Sequence, residues 1–343
     1  MVLTALQRAL AAACVVAFGA TALPAAAQPK PLTLRYTTGA PAKTPWVTQL
    51  ERFAKDVEEE SNGSIKIDQF IAAQLGNEQD TAQQVARGRI DMGGFSSGAV
   101  ALLVPEFGLF ALPFYFQSAA EQDCTLDTEP VTKFVADSLA KKGVQFLGWT
   151  EVGTVDLMSK RAFNHPKEVN GLKAAAAAHK VNSMMWQALG ANPTFVGITE
   201  ITSAFQTGLV DVTATVITFY LPSGLNKVAP VANRIAISDS PGIIMMNKRT
   251  YDSMPKEQQA ALMRGVQRRS ADLLRKEIRG FEETLYGLHV KGGGQMITPT
   301  PEQRGEWRKA LVNEWPKMVK ELGGESEKFF ALLEAGRKVC DKK

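Results

Sequence analysis

Leu32-Thr33-Leu34-Arg35-Tyr36 alternates apolar and polar positions, the period of a half-buried strand. Thr44-Pro45 then opens a helix, since Thr suits an N-cap and Pro a first turn. Trp46, Leu50, Phe53 and Val57 form its apolar stripe, and Gly63 lies just past its end. A strand over Ser64 to Ile67, a helix over Glu78 to Arg87 stopped by Gly88, and a short strand at Ile90-Asp91-Met92 follow. This alternation predicts a mostly parallel sheet with helices on its faces. The pattern then recurs. Val144 to Leu147 reads as a strand, Val181 to Leu189 as a helix ended by Gly190, Thr194 to Val196 as extended, and Ile201 to Gln206 as a helix stopped by Gly208. The run from Ala82 to Asp91 parallels that from Thr202 to Asp211 as helix, Gly stop, apolar residue, Asp. Two successive α/β patterns of one plan predict two similar lobes with a cleft between the carboxyl ends of their strands, where small ligands sit.

After Pro255, apolar residues Leu262, Val266, Leu273, Ile278, Phe281 and Leu285 recur at helical spacing, with no proline before Leu288. Unbroken, that helix is about 50 Å long, more than one small lobe, and runs along both. The alternative is two helices broken near Gly265 or Gly280. Thr300-Pro301 starts another helix through Trp307, Leu311, Trp315 and Val319, with a kink expected at Pro316, and a last helix carries Phe329, Phe330, Leu333 and Val339.

The N-terminus stands apart. One arginine, Arg8, precedes an uncharged apolar run from Ala9 to Leu23, and Pro24-Ala25-Ala26-Ala27-Gln28 offers small residues for cleavage. The run is short for a bilayer span, so a secretory signal over residues 1–27, cleaved after about Ala27, is expected, with delivery to the periplasm. A formal charge of +4 on 343 residues, with 22% charged residues and no basic run, argues against nucleic acid as a partner. Cys14 would leave with the signal. Cys124 and Cys340 then form an even pair that an oxidising compartment permits, without compelling, to join.

Candidate chemistry is sparse. Gly94-Phe95-Ser96-Ser97-Gly98 matches the G-x-S-x-G turn of serine hydrolases, with Ser96 as nucleophile, but the only late histidine, His289, has no evident acidic partner. The same turn also suits backbone amides and hydroxyls brought to a ligand. His165 and His179 have no second ligand at metal spacing, and nothing calls for a metal or another cofactor. Asp91 and Asp211 fit turn or backbone-amide bonding better than acid–base work. In the strand from Val210 to Ile217, Val210, Val212, Ala214 and Val216 face one way and Asp211, Thr213 and Thr215 the other. Threonines on a strand that should be apolar on both faces suggest a wet cleft, and Phe219-Tyr220 is placed to close over it.

These segments resemble the periplasmic solute-binding proteins of tripartite ATP-independent periplasmic (TRAP) transporters, dicarboxylate-type branch. The resemblance rests on Gln74-Leu75-Gly76, Gly88-Arg89-Ile90-Asp91-Met92, Leu112-Pro113-Phe114, Gly148-Trp149 with Ser159-Lys160-Arg161, Val169 to Lys173, Ala188 to Pro193, and Phe205 to Asp211, in family order. It implies an α/β, two-lobed periplasmic binding protein fold with a ligand cleft between the lobes and a long helix spanning both. It implies a receptor, not an enzyme, that hands one small organic solute to TRAP membrane permease subunits. The lobes are expected over 28–152 plus 241–280 and over 153–240 plus 281–343. A receptor presenting its ligand to a signalling protein has the same sequence signature. In the family, Gly-Leu-Lys is followed by an apolar residue and an arginine that grips the solute's carboxylate. Here Ala175 stands in that arginine's place, Thr154-Val155 stands where a second basic residue often lies, and Thr215 stands where relatives often carry Asn. A forked arginine–carboxylate pair has no substitute in alanine. Two solute classes stay open: a neutral or weakly polar one held by Thr38, Ser96, Thr213 and Thr215 with Trp46, Phe95, Phe195 and Phe219, or a carboxylate held by backbone amides and Lys173. Glu151 is either an answer to a cationic group or a surface residue near the hinge.

Overall fold

The computed structural model describes residues 31–341; the expected signal segment lies outside them. Nine strands form one mixed sheet in the order β2-β1-β3-β8-β4-β7-β5-β6, with β9 added alongside β8. The strands are β1 (Leu32–Thr37), β2 (Ile65–Phe70), β3 (Met92–Ser96), β4 (Val144–Ser159), β5 (Lys173–Ala176), β6 (Asn192–Phe195), β7 (Val212–Val216), β8 (Val231–Asn247) and β9 (Gln295–Ile297). β1 runs parallel to β2 and β3, and β5 runs parallel to β6 and β7. The two triplets repeat one plan, and each ends against a long antiparallel strand, β3 on β8 and β7 on β4. The repeated aspartates serve that plan. Asp91 accepts from the Arg35 amide at 2.8 Å and Asp211 from the Lys173 amide at 3.3 Å, each fastening the loop before one strand to its neighbour.

β4 and β8 pair along most of their lengths and carry the chain across both halves. Neither was legible as a long strand. Only Val144 to Leu147 was expected, and Pro241-Gly242 inside β8 reads locally as a turn. Their ladder shifts register three times, between Phe146 and Gly148, between Glu151 and Gly153 and between Val155 and Leu157. Gly153 holds φ +132°, and a Cβ there would strike the carboxylate of Glu282. Within the last of these, Ala236 takes φ +53°, its amide donates to Asp156 at 2.6 Å, and Arg304 donates to the Ile235 and Ala236 carbonyls at 3.1 Å each. The irregular segment therefore keeps its backbone groups paired.

The long helix divides. Helix Lys256–Gln267 ends at Arg268, and helix Ala271–Lys291 restarts behind Ser270, whose Oγ accepts from the Leu273 amide at 3.2 Å. The break falls near Gly265, which lies so close to Val57 that an added Cβ would sit 2.6 Å from Val57 Cγ2. Helix Pro45–Glu60 ends in Glu58-Glu59-Glu60, carboxylates opposed by the helix dipole. Arg268 donates to Glu59 and Glu60 at 2.5 and 2.7 Å, and Arg269 to Asp56 at 3.1 Å, so the residues of the break neutralise that end. Ala271–Lys291 alone is 21 residues, about 31 Å. It still crosses both halves. Gln49 donates to its Leu274 carbonyl at 3.0 Å, while Leu285 and Tyr286 pack with Phe205, Val210 and Ala232. Pro316 likewise separates two helices, Pro301–Val312 and Trp315–Leu322, where a kink was expected.

Cys124 and Cys340 are joined by a disulfide, their Cα atoms 5.8 Å apart. It ties helix Ser326–Cys340 to helix Ala119–Leu126, while Phe329 stacks on Phe134 with centroids 4.3 Å apart. Among the described residues, no helix is long and apolar enough to cross a membrane.

Candidate functional site

A cavity of about 280 Å³ opens where the two triplets face each other across β4 and β8. Thr38, Trp46, Phe95 and Ser96 line it from one side, Ala175, Thr213, Thr215 and Phe219 from the other, and Glu151 and Val155 from β4. Ala175 is buried on β5, in register with Thr213 of β7 and Thr194 of β6. Two expected contacts fall outside. Lys173 is exposed and its Nζ donates to the Gly208 carbonyl at 2.5 Å, because it begins β5 at the end away from the cavity. Phe195 ends edge strand β6 and is 60% exposed, with no further strand to cover it.

Glu151 is neither a surface residue nor a free anion. It is 1% exposed, and Arg279 reaches its two carboxylate oxygens at 3.2 and 2.9 Å. Burial pushes its carboxyl up to about 8 against the pull of Arg279. Its carbonyl accepts from Trp46 Nε1 at 2.8 Å, fixing the indole across the cavity. The one arginine of the lining, Arg269, is bonded to Asp56.

Reasoning from the sequence missed Glu78, Tyr36, Trp149 and His179, which also line the cavity. Glu78 begins helix Glu78–Ala86, capped by Asn77, and its carboxylate accepts from the Ser96 amide and, at 2.9 Å, from Ser96 Oγ. Burial raises its pKa against those two hydrogen bonds. An acidic residue in a first helical turn is common, because it complements the dipole, so the sequence alone does not single Glu78 out. Gly94 leaves room for the Tyr36 hydroxyl, and Gly98 for His179, whose Cδ2 would lie 3.1 Å from an added Cβ. Burial drives His179 down to about 4, so its ring is neutral, and its Nδ1 has no hydrogen-bond partner among the described residues.

The hydrolase alternative does not assemble. Ser96 Oγ is committed to Glu78 and to the Ala99 amide at 3.1 Å. His289 instead bonds the Gln295 carbonyl at 3.1 Å and packs on Tyr220.

Where β4 crosses between the halves, Glu282 accepts from the Thr154 amide at 2.7 Å, and burial pushes its carboxyl up from 4.5 to about 7. The fold therefore holds the Glu282 proton more tightly than the unfolded chain does. That stability is complete below pH 4.5 and is lost as pH rises through about 7. Asp156, up to about 6, acts in the same sense, while His179 acts in the opposite one, costing stability as pH falls from 6.5 towards 4. The Glu282→Gln variant is expected to gain on the natural protein by about 2 kcal/mol between pH 5.5 and pH 8 in urea melts. A stability difference independent of pH would refute the assignment.

A two-lobed sheet with crossing strands, a spanning helix and a ring-lined cavity between the triplets is the architecture of a binding protein for a small solute. The chain belongs to the bacterial extracellular solute-binding proteins, family 7, whose model matches residues 36–322. A solute-binding protein of Verminephrobacter eiseniae is 28% identical over 62% of this chain and 64% of its own length. The C4-dicarboxylate-binding periplasmic protein DctP of Rhodobacter capsulatus is 24% identical over 90% of this chain and 94% of its own. A solved sugar acid binding protein of Advenella mimigardefordensis, in complex with galactonate, superposes with a TM-score of 0.84 at 23% identity, covering 90% of this chain and 99% of that one. The family is one of solute receptors, not of hydrolases.

Proposed function

We propose that this protein is a periplasmic receptor that delivers a small organic solute to TRAP membrane permease subunits, and that its solute is not a simple dicarboxylate. Two things support the second clause: the family resemblance puts Ala175 in the place of the gripping arginine, and the arginine that lines the cavity among the described residues, Arg269, is bonded to Asp56. The similar proteins of Rhodobacter capsulatus and Advenella mimigardefordensis are named for binding acids, and that is the chemistry this wall has given up. The lobes hinge at the register shift beside Gly153 and at Ser240-Pro241, and helix Ser326–Cys340, bridged to Cys124 and stacked through Phe329 on Phe134, moves with the lobe that carries those residues and not with the other half as the sequence bounds had it. Export follows from cleavage after about Ala27. Native mass spectrometry of protein purified from the periplasm without refolding is the test. The expected result is a co-purified solute other than a C4-dicarboxylate, whose removal expands the radius of gyration in small-angle scattering and whose return contracts it. Recovery of succinate or malate would overturn the substrate reading, and an unchanged radius would overturn the hinge.

A further inference from the structure

The ionisable group left without an opposite partner in the cavity wall is an acid. Glu151 is matched by Arg279 and Arg269 by Asp56, but Glu78 has no cationic partner among the described residues. Its carboxylate is held by Ser96 alone, amide and hydroxyl, on the strand end that carries Phe95. Around it the lining is rich in rings, with Tyr36, Trp46, Phe95, Phe110, Trp149 and Phe219. An isolated carboxylate in an aromatic cavity disfavours an anion twice, by direct repulsion and because ring faces are negative. The same pair of features favours a cation twice, since the carboxylate pairs with it and the faces attract it.

Building on the reading of this cavity as the solute site, we infer that Glu78 is its specificity-determining residue and that it selects a solute bearing a positively charged nitrogen on an apolar frame. Ser96 is then a positioning residue. Its two hydrogen bonds fix the carboxylate, and Gly94 and Gly98 keep the surrounding turn open to Tyr36 and His179.

Three probes sharing one frame isolate the charge: benzylamine as the cation, benzyl alcohol and benzoate. Isothermal titration of the full chain is expected to rank ammonium above alcohol by about ten-fold, with benzoate weakest. Glu78→Gln keeps the shape and an acceptor for the Ser96 amide. It is expected to bring the ammonium-to-alcohol ratio to about one while alcohol binding persists. Trp46→Leu, which leaves Glu78 in place, should lower ammonium affinity more than alcohol affinity, and it carries the test should Glu78→Gln fail to fold. Benzoate binding best, a preference that survives Glu78→Gln, or no binding of any probe at millimolar concentration would overturn the inference. Ala175→Trp separates the two claims. It fills the cavity and should abolish all three signals, so binding that survives it sinks the cavity as solute site, whereas a wrong charge order with binding abolished sinks only the role of Glu78.

Discussion

Succinate, malate and fumarate are expected to leave the melting temperature of the unmodified protein unmoved at millimolar concentration. The reason lies on β5. Ala175 is 3% exposed and faces the cavity beside Thr213, so a carboxylate arriving there meets a methyl group and a hydroxyl. A buried charge without its partner costs about 3 to 5 kcal/mol, which at about 1.4 kcal/mol per decade weakens binding by roughly two to four orders of magnitude. Ala175→Arg is expected to return much of that affinity for succinate, because Thr213 and Thr215 are small enough to leave space for the guanidinium fork. Micromolar binding of succinate by the unmodified chain would refute the proposal. It would also assign the task to backbone amides, since Lys173 lies outside the cavity.

Replacing both Cys124 and Cys340 with serine is expected to produce the largest loss of stability of any change outside the apolar core. The bridge spans a sequence separation of 216 residues, and closing a loop of that size removes about 5 kcal/mol of unfolded-chain entropy. For a chain of this length that corresponds to a fall in melting temperature of about 8 °C. The expectation is sharpened by what the bridge adjoins. Asp123, next to Cys124, accepts from Arg279 at 2.6 and 2.8 Å and forms a 3.2 Å ion pair with Arg275. A fall of less than about 2 °C, or two free thiols in the natively exported protein, would show that the constraint contributes little.

The sequence made the repeated half of the fold legible because its signals are local. Thr44-Pro45, Gly88, Gly190 and Gly208 mark starts and stops within one or two turns of the chain. Asp91 and Asp211 recur because each triplet needs the same backbone fastening. The crossing strands were illegible for the converse reason. Gly153 interrupts the hydrophobic pattern of β4 and Pro241-Gly242 that of β8, and what keeps each extended is the opposite strand. The sequence left the helix open between one unbroken span and a break near Gly265 or Gly280, and could not decide because Arg268 and Arg269 are good helix formers whose partners, Asp56, Glu59 and Glu60, lie some 200 residues earlier. At the site, aromatic and hydroxyl positions near strand ends were readable. Glu78 was not, since its carboxylate acquires meaning only when β3 brings Ser96 against it. Phe195 was misplaced because lateral position in a sheet, edge or centre, is not written in a strand's own residues, and Lys173 because it begins β5 at the end away from the cavity.

β8 also dictates an order of assembly. It sits at the centre of the sheet, pairing β3 through Gly242 to Met246 and β4 along most of its length. No half of the molecule is therefore finished until the chain has been delivered past Asn247, and the half that begins with β1 must wait for the strand that seals it. At a synthesis rate of about 5 to 20 residues per second, β3 spends roughly 8 to 30 seconds with its inner edge bare. Under the export proposed above, this arrangement costs nothing, because the late arrival of β8 keeps the early segments from locking shut while the chain is still extended.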